Sequence, residues 1–280
     1  MPIIDFRFRP PTEEIKANHR QFEAQMGLKG SDSWHERSLE DCVREMEELD
    51  LVGVVMGRAL PKPAISSDHL KKLADRYPHR FIPIAGVDPS PSNRQACQEE
   101  IQYAVKDLGF RGIHFDHGLA NPPLVPNDER LYPIYAQCND LGAIVCLQIG
   151  PLSGGSIACS NPLALESVAR DFPNLQLVMA HGGYPFVTEA VALMVRYPNV
   201  WISPDAYHFR PLGGHYVEAF SSSPLNERYL YGSAFPYGLH RIQGLNMKES
   251  YQRWRSLPWK DEDIEKLSFQ NAARLLGYKR

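Results

Sequence analysis

Apolar residues recur along the chain in short blocks, separated by longer stretches in which they return every three or four positions. The blocks are Pro2–Arg9, Leu51–Met56, Phe81–Val87, Gly112–Asp116, Ala143–Ile149, Leu175–Ala180, Val200–Ser203 and Tyr229–Gly232. Most are apolar without polar alternation, the pattern of a strand covered on both faces in a parallel sheet. Between them, Leu39, Val43, Met46 and Leu49 fall on one helical face after Ser38, with Glu40 and Asp41 in the first turn, where negative charge suits the helix dipole. Further helices are expected over 67–77, 91–108, 130–141, 163–171 and 187–196, and from an N-cap at Asp261 through Leu276 to a stop at Gly277. The segment 12–37 shows neither period and reads as a long excursion over one end of the fold. Pro83 inside the third strand argues against a fully paired ladder there.

Eight strands alternating with helices, with no linker between them, predict a single domain over residues 1–280 that closes as an α/β (β/α)8 TIM barrel. The competing arrangement is a doubly wound open sheet. It fits less well, because no GxGxxG follows the first strand, which ends in arginines.

Composition narrows the function classes. A chain of 280 residues with 43% apolar and 22% charged residues is an ordinary globular protein. A net charge of −3, without a Lys/Arg run, argues against nucleic acid as a partner. No apolar stretch is long enough to span a bilayer, and no secretory leader pattern is visible. Five cysteines without a CxxC pair fit reduced thiols, so a cytoplasmic location is expected. There is no GxSxG, HExxH or P-loop.

In a barrel the chemistry gathers at the C-terminal ends of the strands. There the chain places Arg7 and Arg9, two apart and on one face; His114 and Asp116, again two apart; then Gln148, His181, Ser203 with Asp205, and Ser233 with Tyr237. Two adjacent guanidinium groups suit an anion. His181, followed by two glycines, suits acid–base work, and Asp205 or Asp116 could orient it or serve as a base. Each also has an ordinary reading: an arginine that ties down a loop, a satisfied wall histidine, an aspartate that caps a helix. Cys146 reads as an inert core thiol, and Cys159 as an unsupported nucleophile.

The order of several short pieces resembles the amidohydrolase superfamily, in particular its amidohydrolase 2 branch of metal-dependent decarboxylases and lactonases of aromatic breakdown products. These pieces are Ile3-Ile4-Asp5-Phe6, Asp128 to Pro133, Phe172 to Leu175 running on to Ala180-His181-Gly182-Gly183, Gly232-Ser233 with Phe235-Pro236, and Asn271 to Leu276. The resemblance implies a metal site made of His-x-His after strand one, histidines after strands five and six, and an aspartate after strand eight. Those places hold Arg7 and Arg9, Gln148, His181 and Ala234. Arginine stays protonated and does not ligate, so no metal and no other cofactor is expected. The leading expectation is a metal-independent hydrolase of a small carboxylated substrate, a lactone by the resemblance. His181, Asp205 and Asp116 would be its catalytic groups, and Arg7, Arg9, His114, Gln148, Ser233 and Tyr237 would bind substrate. The alternatives are a decarboxylase or other lyase on a carboxylated ring, and a non-catalytic barrel that binds an anionic metabolite. Homo-oligomerisation, common among relatives, stays open.

Overall fold

Among the described residues seven strands lie side by side in sequence order, all parallel: β1 Ile3–Phe8, β2 Leu51–Met56, β3 Phe81–Gly86, β4 Gly112–Phe115, β5 Ile144–Gln148, β6 Leu177–Ala180 and β7 Val200–Ser203. The computed structural model describes residues 1–25, 27, 32–152, 154 and 156–279. All seven strands fall within the blocks expected from the sequence, trimmed by up to two residues at an end.

The expected eighth strand is different. Tyr229 forms an isolated bridge to Ile202, Leu230 N donates to Ile202 O at 2.8 Å, and Phe6 N donates to Tyr231 O at 2.8 Å. The segment therefore touches both β7 and β1, but it does not run a regular ladder. The reason lies in the amide of Tyr231, which donates to Leu267 O at 3.1 Å in the C-terminal helical region and is lost to the sheet. Asn271 holds the segment from the same side, its Nδ2 donating to Asn226 O and Tyr229 O. An α/β barrel is thus formed by seven strands and a bridging eighth segment.

Pro83 is tolerated for a geometric reason. Gly53 N donates to Arg80 O and Gly57 N to Ile84 O, so even-numbered residues of this stretch face β2 and odd-numbered ones face β4. Because β3 meets β4 only from Ala85 onward, no ladder partner is missing at Pro83.

Side chains divide cleanly between the two faces of the sheet. Ile4, Phe6, Val52, Val54, Ile84, Ile144, Cys146, Val178, Trp201 and Leu230 fill the barrel interior, with Ala272 and Leu276 packed against them. Ile3, Phe8, Leu51, Val55, Ile113, Leu147, Met179 and Ile202 belong to the larger core between the strands and the helices. The two sets alternate along each strand, except in β1. There Asp5 pairs with Gly53 but Phe8 pairs with Val55, so β1 carries one extra residue. Ile4 and Phe6 face inward; after the bulge Arg7 and Arg9 do so, and Phe8 faces out to stack on Phe81 and Phe235. Asp5 holds the bulge, its Oδ1 accepting from Arg7 N and Ser233 N, each at 3.0 Å, and its Oδ2 from Ser233 Oγ.

The helices follow the expected faces, with Ser38 and Ser66 accepting from the amides of Asp41 and His69 as N-caps. At the C-terminus the structure corrects the cap: Lys260 occupies that place, and Asp261 opens a 3-10 turn without a side-chain cap bond. The 12–37 segment is also corrected. It carries a helix over Glu13–Gln25 and a short one over Asp32–Glu36. The first escaped detection because most of what it buries is polar: Lys16, Asn18, His19 and Glu23, with only Ile15 apolar. A helix whose inner face meets a polar site has no hydrophobic stripe.

Candidate active site

Four strand ends converge on the guanidinium of Arg7. Its Nε donates to Asp205 Oδ2 at 3.2 Å, and its Nη2 donates to Gln148 Oε1 at 3.3 Å and to His181 Nε2 at 3.2 Å. Its Nη1 lies 2.9 Å from Met56 Sδ. The contact with Arg7 fixes the histidine tautomer: Nε2 must offer its lone pair, so the proton sits on Nδ1. That nitrogen faces Asp205 Oδ2 at 2.8 Å, in an approach too bent for a full hydrogen bond. Ser203 Oγ donates to the other oxygen of Asp205 at 2.9 Å.

Three of the residues here sit in left-handed backbone without being glycine: His181 at φ 65°, Asp205 at φ 56° and Ala234 at φ 54°. Strain of this kind, at three neighbouring strand ends, turns side chains toward the barrel axis that continued alternation would send elsewhere. Gly232 makes room for the cluster, because a Cβ there would stand 2.7 Å from both Asp205 Oδ1 and Ser203 Oγ and 2.9 Å from Arg7 Cγ. Gly232→Ala is therefore expected to destabilise the fold by about 1–3 kcal/mol. Thermal unfolding measures this, and an unchanged midpoint would mean that the cluster is looser than its geometry implies.

Charge and burial set the protonation states. Burial, the largest influence on Asp205, raises its pKa, but Arg7, with the His181 and Ser203 contacts, outweighs it and holds the group below the ordinary carboxylate value. Burial and then Arg7 push His181 down to about 4, so it is neutral at pH 7. Burial lifts Asp116 to about 6 against the opposing charge of Arg58; its Oδ1 accepts from Gly118 N at 3.2 Å.

Above this cluster opens a cavity of about 150 Å³, lined among others by Arg9, Arg58, Asp116, Gln148, His181 and Tyr237. Arg210 and Arg241 stand on its wall as well. Among the described residues Arg9 meets no carboxylate: its Nη1 donates to Phe235 O at 3.4 Å, and its guanidinium lies 5.6 Å from the Tyr237 ring. Burial, Arg7 and Arg58 lower its pKa to about 9, which leaves it charged at neutral pH. Arg58 stacks on Phe22 at 4.9 Å, and its Nε is buried without an acceptor among the described residues. A chamber of about 20 Å³ lies below, lined by Arg7 and His114 together with Arg9 and Gln148.

The sequence-derived candidates thus separate. Arg9, Asp116, Gln148, His181, Asp205 and Tyr237 share the main cavity. Arg7 and His114 lie beneath it, with His114 Nδ1 3.0 Å from Gly57 O. Ser233 does not line the cavity, since its hydroxyl donates to Asp5. The acidic neighbour of His181 is Asp205 rather than Asp116. Sequence reasoning missed Arg58, although it stands just past the end of β2, at the same end of the barrel as the other candidates. It also missed His19 and Phe22, which carried no periodic signal. Cys146 and Cys159 are buried with raised thiol pKa values, and all five cysteines are unpaired, so none is marked as a nucleophile.

A family model described as Amidohydrolase matches residues 38–278. The chain belongs to the amidohydrolase family. This amidohydrolase is 32% identical to an uncharacterized TIM-barrel protein from Bordetella bronchiseptica, which covers 99% of both chains with a TM-score of 0.86. It shares its fold with 2,6-dihydroxybenzoate decarboxylase from Rhizobium, at 17% identity, 99% coverage of both chains and a TM-score of 0.71. Among curated proteins it is 26% identical over 167 residues to a 2-amino-3-carboxymuconate-6-semialdehyde decarboxylase of Dictyostelium discoideum, across 51% of this chain and 45% of that protein. The match thus spans about half the length of that relative. No helix among the described residues is long and apolar enough to cross a membrane.

The donor set of this amidohydrolase does not fit the divalent metal its family implies. Arg7, a fixed cation, already bonds Gln148, His181 and Asp205 there, and no cluster of three His, Cys, Asp or Glu that could hold a metal occurs among the described residues.

Proposed function

We propose that this amidohydrolase opens a small carboxylated lactone by hydrolysis, without a metal ion. The observation that carries the reading is the Arg7 guanidinium bonded to Asp205, Gln148 and His181, which supplies positive charge at a site that suits no metal.

The substrate carboxylate is held by Arg9 and Arg58, two arginines of the cavity that have no ion-pair partner among the described residues. Gln148 gives its oxygen to Arg7, which directs its amide N–H groups to the lactone carbonyl oxygen. Asp116 is the base. It takes a proton from water as the water oxygen bonds to the carbonyl carbon; the ring C–O bond then breaks, and the departing oxygen receives that proton from Asp116. His181 is a positioning residue, because its Nε2 lone pair is engaged by Arg7 and its Nδ1–H faces Asp205. This departs from the sequence expectation, in which His181 activates the water. The unpaired cysteines suit a reducing cytosol.

Turnover of a panel of carboxylated lactones in ¹⁸O-water is the test. One ¹⁸O atom is expected in the product carboxylate, with activity unchanged after exhaustive chelation and not raised by added zinc or manganese. Strict dependence on a divalent ion would sink the metal-free mechanism. A second reading, decarboxylation, draws on the same Asp116, since a buried acid with a pKa of about 6 can also deliver a proton to a carbanion. It predicts release of CO2 without ¹⁸O in the product.

A further inference from the structure

His19 comes from the Glu13–Gln25 helix, outside the region that the family model matches, and it reaches both the main cavity and the chamber beneath. Its ring is buried at 1% exposure and stands edge-on to Trp34 at 5.6 Å. A hydrogen-bond chain fixes its tautomer. Tyr237 OH donates to Glu23 Oε1 at 2.7 Å, so its oxygen must accept from His19 Nδ1, 2.8 Å away. Glu23 is held in turn by His35, whose Nε2 lies 3.0 Å from its Oε2. With the proton on Nδ1, Nε2 is a bare lone pair, buried and without a partner among the described residues.

We infer that His19 Nε2 accepts a hydrogen bond from the ligand, so that the site selects carboxylates that also carry a hydroxyl group. A buried acceptor left unmatched is costly, and a site containing one discriminates strongly against analogues that lack the donor. Arg9 and Arg58, the two cations beside His19, oppose its protonation and reinforce burial in holding its pKa well below the ordinary value. The imidazole therefore remains an acceptor at neutral pH. The reach from these arginines to Nε2 then sets where on the ligand the hydroxyl must lie. This inference rests on the carboxylate reading of the cavity, but not on hydrolysis.

Binding decides it without turnover. The three hydroxybenzoate isomers are titrated against the full-length protein alongside the three fluorobenzoates, which match them in size but donate nothing. At least one hydroxy isomer is expected to bind about tenfold more tightly than its fluoro counterpart. In His19→Ala that ratio falls to about one, and in Tyr237→Phe, which frees the ring to take the other tautomer, it falls or inverts. His19→Gln, which restores an acceptor oxygen, recovers part of it. ¹⁵N-histidine NMR of the wild-type protein should show His19 protonated on Nδ1 only. Carboxylate binding with no hydroxyl preference, an unchanged ratio in His19→Ala, or a proton on Nε2 would each overturn the inference while leaving the anion site intact. Failure of every carboxylate to bind would overturn both.

Discussion

Replacing Arg7 with methionine is expected to lower the free energy of unfolding by about 3–5 kcal/mol at pH 7, a cost typical of a buried ion pair that loses one partner. Both side chains of the pair with Asp205 are almost fully buried, at 2% and 0% exposure. The variant leaves a carboxylate in the barrel with no cation against it. The pH dependence identifies the cause. In the wild type, Asp205 titrates below the ordinary carboxylate value, so its contribution to stability is present above about pH 4 and is lost as the pH falls through its folded pKa. The penalty of Arg7→Met should therefore shrink in acid, where Asp205 is protonated in either protein. The double variant with Asp205→Asn should recover much of the loss at pH 7. Denaturant titrations at several pH values measure both effects, and a penalty independent of pH would contradict this assignment.

Asp116→Asn is expected to reduce lactone turnover by about 10²–10⁴-fold, the range for loss of a general base. In the wild type, kcat/KM should rise as the pH increases through about 6, following deprotonation of Asp116. A decarboxylase using the same group as its acid would show the opposite limb, so the profile separates the two reactions. Stability should move the other way. Burial holds the folded pKa of Asp116 above its unfolded value, so the native state binds the extra proton between about pH 4 and pH 6, and stability falls as pH rises through that window. Asp116→Asn is thus expected to be less active and, at pH 7, no less stable. An active asparagine variant would remove Asp116 from the mechanism.

Much of the barrel was legible because burial on both faces makes most strands near-continuous apolar runs, a signal that β2, β3, β5, β6 and β7 carry. The final segment carries it too, in Tyr229 to Gly232, but pairing depends on where each amide points, and the turn of Tyr231 N toward Leu267 leaves no trace in the apolar pattern. Strand-end logic found the cavity groups Arg9, Asp116, Gln148, His181 and Asp205. It could not show that Arg7 saturates the lone pair of His181, because that depends on distances of about 3 Å between residues far apart in sequence. His19 was invisible for the opposite reason: a helix that lines a polar site buries polar residues and resembles a loop.

The extra residue in β1 has a consequence for how such chains are compared. It acts as a phase shift, since the same side chains on an unbulged strand would turn two guanidinium groups toward the helices and present Phe8 to the ligand. What this barrel offers its substrate is encoded partly in a backbone count, which a column-by-column comparison of residue types does not score. An arginine pair on the first strand of another such barrel therefore signals the same site only where the strand carries the same offset.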